Sequence, residues 1–197
     1  MIENNQEDIN LEFHGPYSMR KGSNYLFSSK LKNEEGVYLW TLKDETSGKN
    51  YINYIGETQK FAKRHREHII QITGLNYQIN DPEKVKKGDP GLLWNGLWRD
   101  RTNQGVGNML DNYERLSSKV VEYVSLISIY FAPIKLDRYT RRHVEGSIGW
   151  NLRNNHPEAT VFYPKDNHVG ANAKGIGCKL IINLPDKIEG VDTEIII

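Results

Sequence analysis

The sequence predicts an α+β fold of the sandwich type, a small sheet flanked by helices, and three observations carry that reading. Two aromatic and β-branched segments, 36–43 and 51–55, are separated by a turn-forming stretch and read as a hairpin. Two further stretches, 59–72 and 137–152, carry apolar residues at three- and four-residue spacing and read as helices. Between them lies the strongest strand signal in the chain, 120–131, Val-Val-Glu-Tyr-Val-Ser-Leu-Ile-Ser-Ile-Tyr-Phe. With 197 residues, 38% hydrophobic and 26% charged, the chain has enough apolar material for one core domain with extensions.

Taken in order, residues 1–33 are polar with few apolar anchors and predict an extended or loosely packed arm. In the first strand, alternation puts Tyr38, Trp40 and Leu42 on one face and Val37 and Leu39 on the other. Ser47-Gly48 marks the turn that follows. The first helix presents Phe61, His65, His68 and Ile72 along one side, with Arg64 and His68 neighbours four apart. Residues 73–119 read as an insert, with breakers at Asp81-Pro82 and 88–91, the pair Trp94 and Trp98, and a helix around 108–118. Asp137 suits the cap of the last helix, whose apolar stripe is Val144, Ile148 and Leu152. The tail is strand-like at 179–184. The expected organisation is an arm (1–33), a core domain (34–158) containing the insert, and a C-terminal extension (159–197) packed on the core.

The single cysteine, Cys178, excludes an internal disulfide framework and a cysteine-based zinc site, which makes the cytoplasm the expected compartment. Residues 1–11 carry neither the basic nor the apolar stretch of a secretory signal. No apolar run reaches the ~18 residues that a membrane-spanning helix needs, so no membrane is expected as a partner. Net charge is only +1, but its distribution is uneven. Cations gather at 60–68 and 135–153, and acidic residues gather toward the two ends. That pattern suits an anionic partner met by the middle of the chain; two solvated helix faces would look the same.

One constellation carries chemistry. Gly36-Val37-Tyr38 and Tyr54-Ile55-Gly56 fall on the two hairpin strands. Arg64 follows Tyr54 by ten residues, His68 comes four later, and Glu145 lies on the helix after the third strand. In this order the residues resemble the GIY-YIG nuclease family over roughly residues 36–155, with Val37 where isoleucine is usual. The fifteen residues between the tyrosines, and the lack of any zinc-finger or helicase-like part, resemble the type II restriction members most. The resemblance implies a three-stranded antiparallel sheet, a Mg²⁺ (or Mn²⁺) ion on Glu145, and Tyr38, Tyr54, Arg64, His68 and Glu145 as catalytic residues. The family also carries an asparagine about a dozen residues beyond the glutamate. Here that position is Pro157, so Asn154 is the expected substitute, with Asn151, Asn155 and Asn167 as rivals.

These residue types fit phosphodiester hydrolysis. An arginine fork grips non-bridging oxygens. A hydrated Mg²⁺ needs only one or two carboxylates. A phenol with an ordinary pKa near 10 needs neighbouring cations to serve as a base. Tyr38 and His68 both remain open for the proton-accepting role. The bland alternatives are packing tyrosines, a solvated Arg64, and a helix ion pair of Glu145 with Arg141 or Arg142. For DNA contacts the expected residues are Lys84, Lys86, Lys87, Arg99, Arg101, Arg141 and Arg142, with Asn103, Gln104 or Asn108 reading base edges. The tryptophans of the insert would equally anchor a packing unit. The expected function is therefore a Mg²⁺-dependent endonuclease on double-stranded DNA, restriction-like, acting as a homodimer beside a methyltransferase of the same specificity. The alternatives are a mobile-element or repair-type nuclease on branched or damaged DNA, and an inactive nucleic-acid-binding module.

Overall fold

A computed structural model of the chain describes residues 7–164 and 177–197. The strands are β1 (Ile9–Glu12), β2 (His14–Tyr17), β3 (Gly36–Lys43), β4 (Asn50–Thr58), β5 (Ile79–Asn80), β6 (Leu92–Trp94), β7 (Ser128–Pro133), β8 (Lys179–Asn183) and β9 (Glu194–Ile196). The helices are α1 (Phe61–Thr73), α2 (Pro82–Val85), α3 (Asn103–Asp111), α4 (Tyr113–Leu126) and α5 (Arg138–Asn155). The fold is α+β. No helix among the described residues is long and apolar enough to cross a membrane.

A four-stranded antiparallel sheet of order β2-β7-β3-β4 forms the centre. The alternation of β3 divides the molecule into two cores. Tyr38, Trp40 and Leu42 pack with Phe61 and Ile72 of α1 and Leu116, Val120 and Tyr123 of α4. Val37 and Leu39 pack on the opposite side with Val144, Ile148 and Leu152 of α5. That second core continues into a small sheet of order β1-β8-β9, through Leu11, Leu180, Ile182 and Ile195.

A bulge in the β3–β4 hairpin decides which way the second tyrosine faces. Trp40 pairs with Tyr54, but the next pair is Thr41 with Ile52, which leaves Asn53 as the extra residue. Ile52 and Ile55 therefore share the α5 side although they are three apart. Tyr54 stays on the side of Tyr38 and Trp40, facing α1. Asn53 is held at the bulge by Tyr123 Oη, which donates to it at 3.3 Å, and donates in turn to the Phe162 carbonyl at 3.1 Å.

Three expectations require correction. The arm is not loosely packed where it is described: β1 pairs in parallel with β8, β2 joins the central sheet, and Leu11 and Leu26 are fully buried. The central sheet therefore has four strands rather than three. Residues 120–126 are the end of helix α4, and the strand begins only at Ser128. β-Branched composition suggested a strand, but Leu116, Val120, Tyr123 and Val124 are also at helical spacing and bury one face.

Candidate active site

α1 lies across the sheet with Phe61, His65, His68 and Ile72 buried, as its periodicity predicts. Burying that face sends two histidines into an aromatic layer, and each is tied differently. His65 Nδ1 is 2.9 Å from the Phe61 carbonyl, and its Nε2 receives the Trp40 indole N–H at 3.0 Å. A carbonyl can only accept and an indole can only donate, so His65 is the neutral Nδ1–H tautomer. Burial holds its pKa down to about 3. It is a structural histidine.

His68 is set between two phenols. Its Nε2 is 2.7 Å from Tyr38 Oη and its Nδ1 is 2.9 Å from Tyr77 Oη. Burial above all, then the charge of Arg64, keeps it well below its ordinary pKa and therefore neutral. A neutral imidazole donates through one nitrogen and accepts through the other, so Tyr38, His68 and Tyr77 form a directional hydrogen-bond chain. Tyr77, in the insert, was not singled out by sequence. No local pattern marks a tyrosine nine residues beyond its histidine in a loop.

Tyr38 is wholly buried, and its ring lies 6.0 Å from that of Tyr54 in a nearly parallel arrangement. Burial raises the Tyr38 pKa well above 10, and Tyr54 adds to the rise; Arg64 opposes it without prevailing. Arg64 does pull this phenol down as expected, but desolvation outweighs it. The glycine of the second tripeptide is what admits the ring. Gly56 faces Tyr38 across the hairpin, and a β-carbon there would overlap the phenol. Gly36 has a similar role against the Ala132 carbonyl of β7.

Above this layer opens a cleft of about 550 Å³, lined by Tyr54 from β4, Arg64 from α1 and Glu145 from α5. Its rim carries Lys60, Lys63, Arg138 and Arg142, so five cations face the three carboxylates Glu57, Glu67 and Glu145. Arg64 is half-buried; burial works against its charge, yet the phenols Tyr38, Tyr54 and Tyr77 hold its proton more firmly than usual. Its one ion pair among the described residues, to Glu67 at 3.4 Å, is exposed and weakly held.

Glu145 does not form the expected rival ion pair. Arg141 turns away to Glu35 at 2.5 Å and Glu57 at 3.2 Å, and Arg142 reaches Glu57 at 3.9 Å. Burial pushes the Glu145 carboxyl up to about 7, and neighbouring Glu57 adds to the push. A half-buried carboxylate beside another carboxylate, with no ion pair of its own among the described residues, is suited to a cation.

Other expected residues fall elsewhere. Arg141 is 1% exposed, so it cannot touch DNA; it donates to Glu35, Glu57 and the Leu136 carbonyl and pins α5 to the sheet. Asn154 lies nine positions beyond Glu145, half a turn out of phase, and donates to the Trp150 carbonyl on the exposed side. Asn151 is buried against Asp192 and accepts from Asn155, so neither enters the cleft. Asn167 lies outside the described residues. Lys84, Lys86 and Lys87 line neither this cleft nor a second one that adjoins it at Tyr54, Arg64 and Glu67: Lys84 pairs with Asp89, and Lys86 bridges Glu83 and Glu122. Asn103, Gln104 and Asn108 are exposed on α3 and Arg101 is exposed near Trp98, all outside both clefts. Arg142 lines the first cleft and Arg99 the second. Comparison with models of known families, with curated proteins and with solved structures gives no match to this chain.

Proposed function

We propose that the chain is a nuclease that hydrolyses DNA phosphodiester bonds with a divalent cation, as its resemblance to the GIY-YIG family implies. The observation that carries this reading is the convergence of Tyr54, Arg64 and Glu145 from three separate elements on one basic cleft, above the Tyr38–His68 pair. The antiparallel order β4-β3-β7, with β3 in the middle and α1 following β4, supports the same assignment.

Arg64 would hold the non-bridging oxygens of the scissile phosphate, its planar fork matching two of them. The Tyr54 hydroxyl, at the cleft wall, would donate to the same phosphate. A phosphate on Arg64 would also cancel part of the positive charge that suppresses His68. His68 would then accept the Tyr38 proton across their 2.7 Å contact while Tyr38, closed off from the cleft in the free protein, takes one from the attacking water once substrate opens a path to its hydroxyl. Tyr77 would hold the imidazole in the receiving orientation. Proton uptake by His68 would thus be tied to substrate binding, which lifts the part of its suppression that comes from Arg64.

Among the described residues no group of three or more His, Cys, Asp or Glu side chains could together hold a metal. A hydrated Mg²⁺ or Mn²⁺ needs less, and Glu145 fits it by the carboxylate chemistry given above. When bound there, the ion would supply Lewis acidity and stabilise the leaving oxygen. Two copies of the chain on duplex DNA would bring one site to each strand, and a homodimer of restriction type is the assembly we propose. Incubation of the purified protein with plasmid and Mg²⁺ tests the reading, with Glu145→Ala and Arg64→Ala alongside. Discrete fragments from the wild type alone support it; no cleavage with any divalent ion refutes it.

A further inference from the structure

A second cleft, of about 530 Å³, adjoins the first and shares Tyr54, Arg64 and Glu67 with it. That volume is within the ~300–1,000 Å³ of small-molecule pockets. Its far wall is built by the insert, from Tyr77, Gln78, Asn95 and Trp98. The wall is rigid. Backbone N–H groups of Leu97 and Trp98 donate to the carbonyls of Leu75 and Asn76, at 3.0 and 3.2 Å. Gly96 sits at φ +87° against the backbone of 76–78, where any β-carbon would collide.

The chemistry of this wall differs from that of the first cleft. Trp94, the partner of Trp98 in the sequence, is an anchor: half-buried, its indole N–H donates to the Leu75 carbonyl at 2.8 Å. Trp98 is 50% exposed, and its ring stands nearly at right angles to that of Tyr77, 4.9 Å between centres. The side-chain amides of Gln78 and Asn95 make no hydrogen bond to other described residues. Each offers a donor and an acceptor side by side, the pattern that matches a base edge. Exposed aromatic surface beside unused amides, in a cleft that Arg64 also lines, is the composition of a nucleobase pocket.

We propose that this second cleft takes a nucleobase adjoining the scissile phosphate, turned out of its stack. The base lies against Trp98, and Asn95 and Gln78 meet its edge. This rests on the reading of the first cleft as the phosphate site. It deepens that reading by naming the substrate class: DNA in which the nucleotide beside the cut is unpaired or readily extruded. Extrusion is easiest where pairing is already weakened, so the pocket selects for such nucleotides.

The test compares two fluorescein-labelled single-stranded oligonucleotides of equal length, one bearing bases and one abasic throughout. Their binding to wild type, Trp98→Ala and Asn95→Ala is measured by anisotropy with Ca²⁺ in place of Mg²⁺. Wild type should favour the base-bearing strand, and Trp98→Ala should lose about ten-fold of that preference, the scale of one stacking contact. Asn95→Ala removes an exposed side chain with no hydrogen-bond partner among the described residues, so it keeps the test open should Trp98→Ala fold poorly; its preference should fall about three-fold, the scale of one hydrogen bond. Preference unchanged in both variants, or no binding of either strand by wild type, overturns the pocket. The plasmid assay is separate: cleavage with no base preference leaves the nuclease reading and removes the pocket, whereas base preference without cleavage does the reverse.

Discussion

Gly56 stands directly opposite Tyr38 in the β3–β4 hairpin, and the phenol of Tyr38 occupies the space where a β-carbon at position 56 would lie. The second tripeptide thus makes room for the tyrosine of the first. This predicts that Gly56→Ala behaves as a Tyr38 variant. The ring must move, and its 2.7 Å contact with His68 is lost. Overpacking should cost about 1–3 kcal/mol of stability, while cleavage falls ~100-fold or more. Thermal melting and single-turnover cleavage measure the two. A variant that cleaves at the wild-type rate would show that the Tyr38 position is not critical.

The chain Tyr38–His68–Tyr77 gives a second expectation. Tyr38→Phe removes the hydroxyl that would receive the proton, so kcat should fall by ~10²–10⁴. Tyr77→Phe leaves that step intact and frees the imidazole to rotate. It should lower kcat about ten-fold with KM unchanged, because the ring that lines the second cleft is kept and only the hydroxyl, which would act through His68, is lost. Equal losses in kcat and in substrate binding would instead mark Tyr77 as a binding residue.

What could be read from sequence was what is local and periodic. Two-residue alternation in β3 separated the two cores, and three- and four-residue spacing found the buried face of α1. The helix cap at Asp137 was legible for the same reason: it accepts from Tyr139 and Thr140 immediately after it. What could not be read depends on partners far along the chain. Leu11 is buried because β1 lies beside β8, whose residues come some 170 positions later. Arg141 looks like a DNA contact in sequence because nothing nearby shows that Glu57, 84 positions earlier, claims it. The cleft itself is assembled from β4, α1 and α5, so its composition emerges only on folding.

That ion-pair hub yields a third prediction. Arg141 is almost fully buried and serves Glu35 and Glu57 together. Removing one partner of a buried network strands the others, so Arg141→Ala should cost ~3–5 kcal/mol in chemical denaturation. Arg142→Ala, at an exposed position on the cleft rim, should leave stability within ~0.5 kcal/mol and instead weaken DNA binding and flatten its salt dependence. The reverse pattern would place Arg141 in contact with DNA.

Glu145 gives the last prediction, through pH. Its carboxyl titrates at about 7 in the folded protein against an ordinary 4.5, chiefly because burial disfavours its charge. Between those values the folded state holds a proton that the unfolded state has released, so stability falls as pH rises through the window. Below 4.5 the cost is absent; above 7 it is complete, at roughly 3 kcal/mol. Glu145→Gln keeps the shape and removes the charge, so the variant should match wild type near pH 4 and exceed it by about that amount at pH 8 in EDTA. Added Mg²⁺ should stabilise wild type at pH 8 and leave Glu145→Gln unmoved, narrowing the gap. Cleavage should fall below pH 7 for the same reason, as protonation removes the carboxylate that would hold the cation. Urea midpoints at the two pH values, with and without Mg²⁺, measure each part. A stability gap that is the same at pH 4 and pH 8, or a Mg²⁺ response that survives in Glu145→Gln, would mean that the cation binds elsewhere or that Glu145 is charged at no cost to the fold.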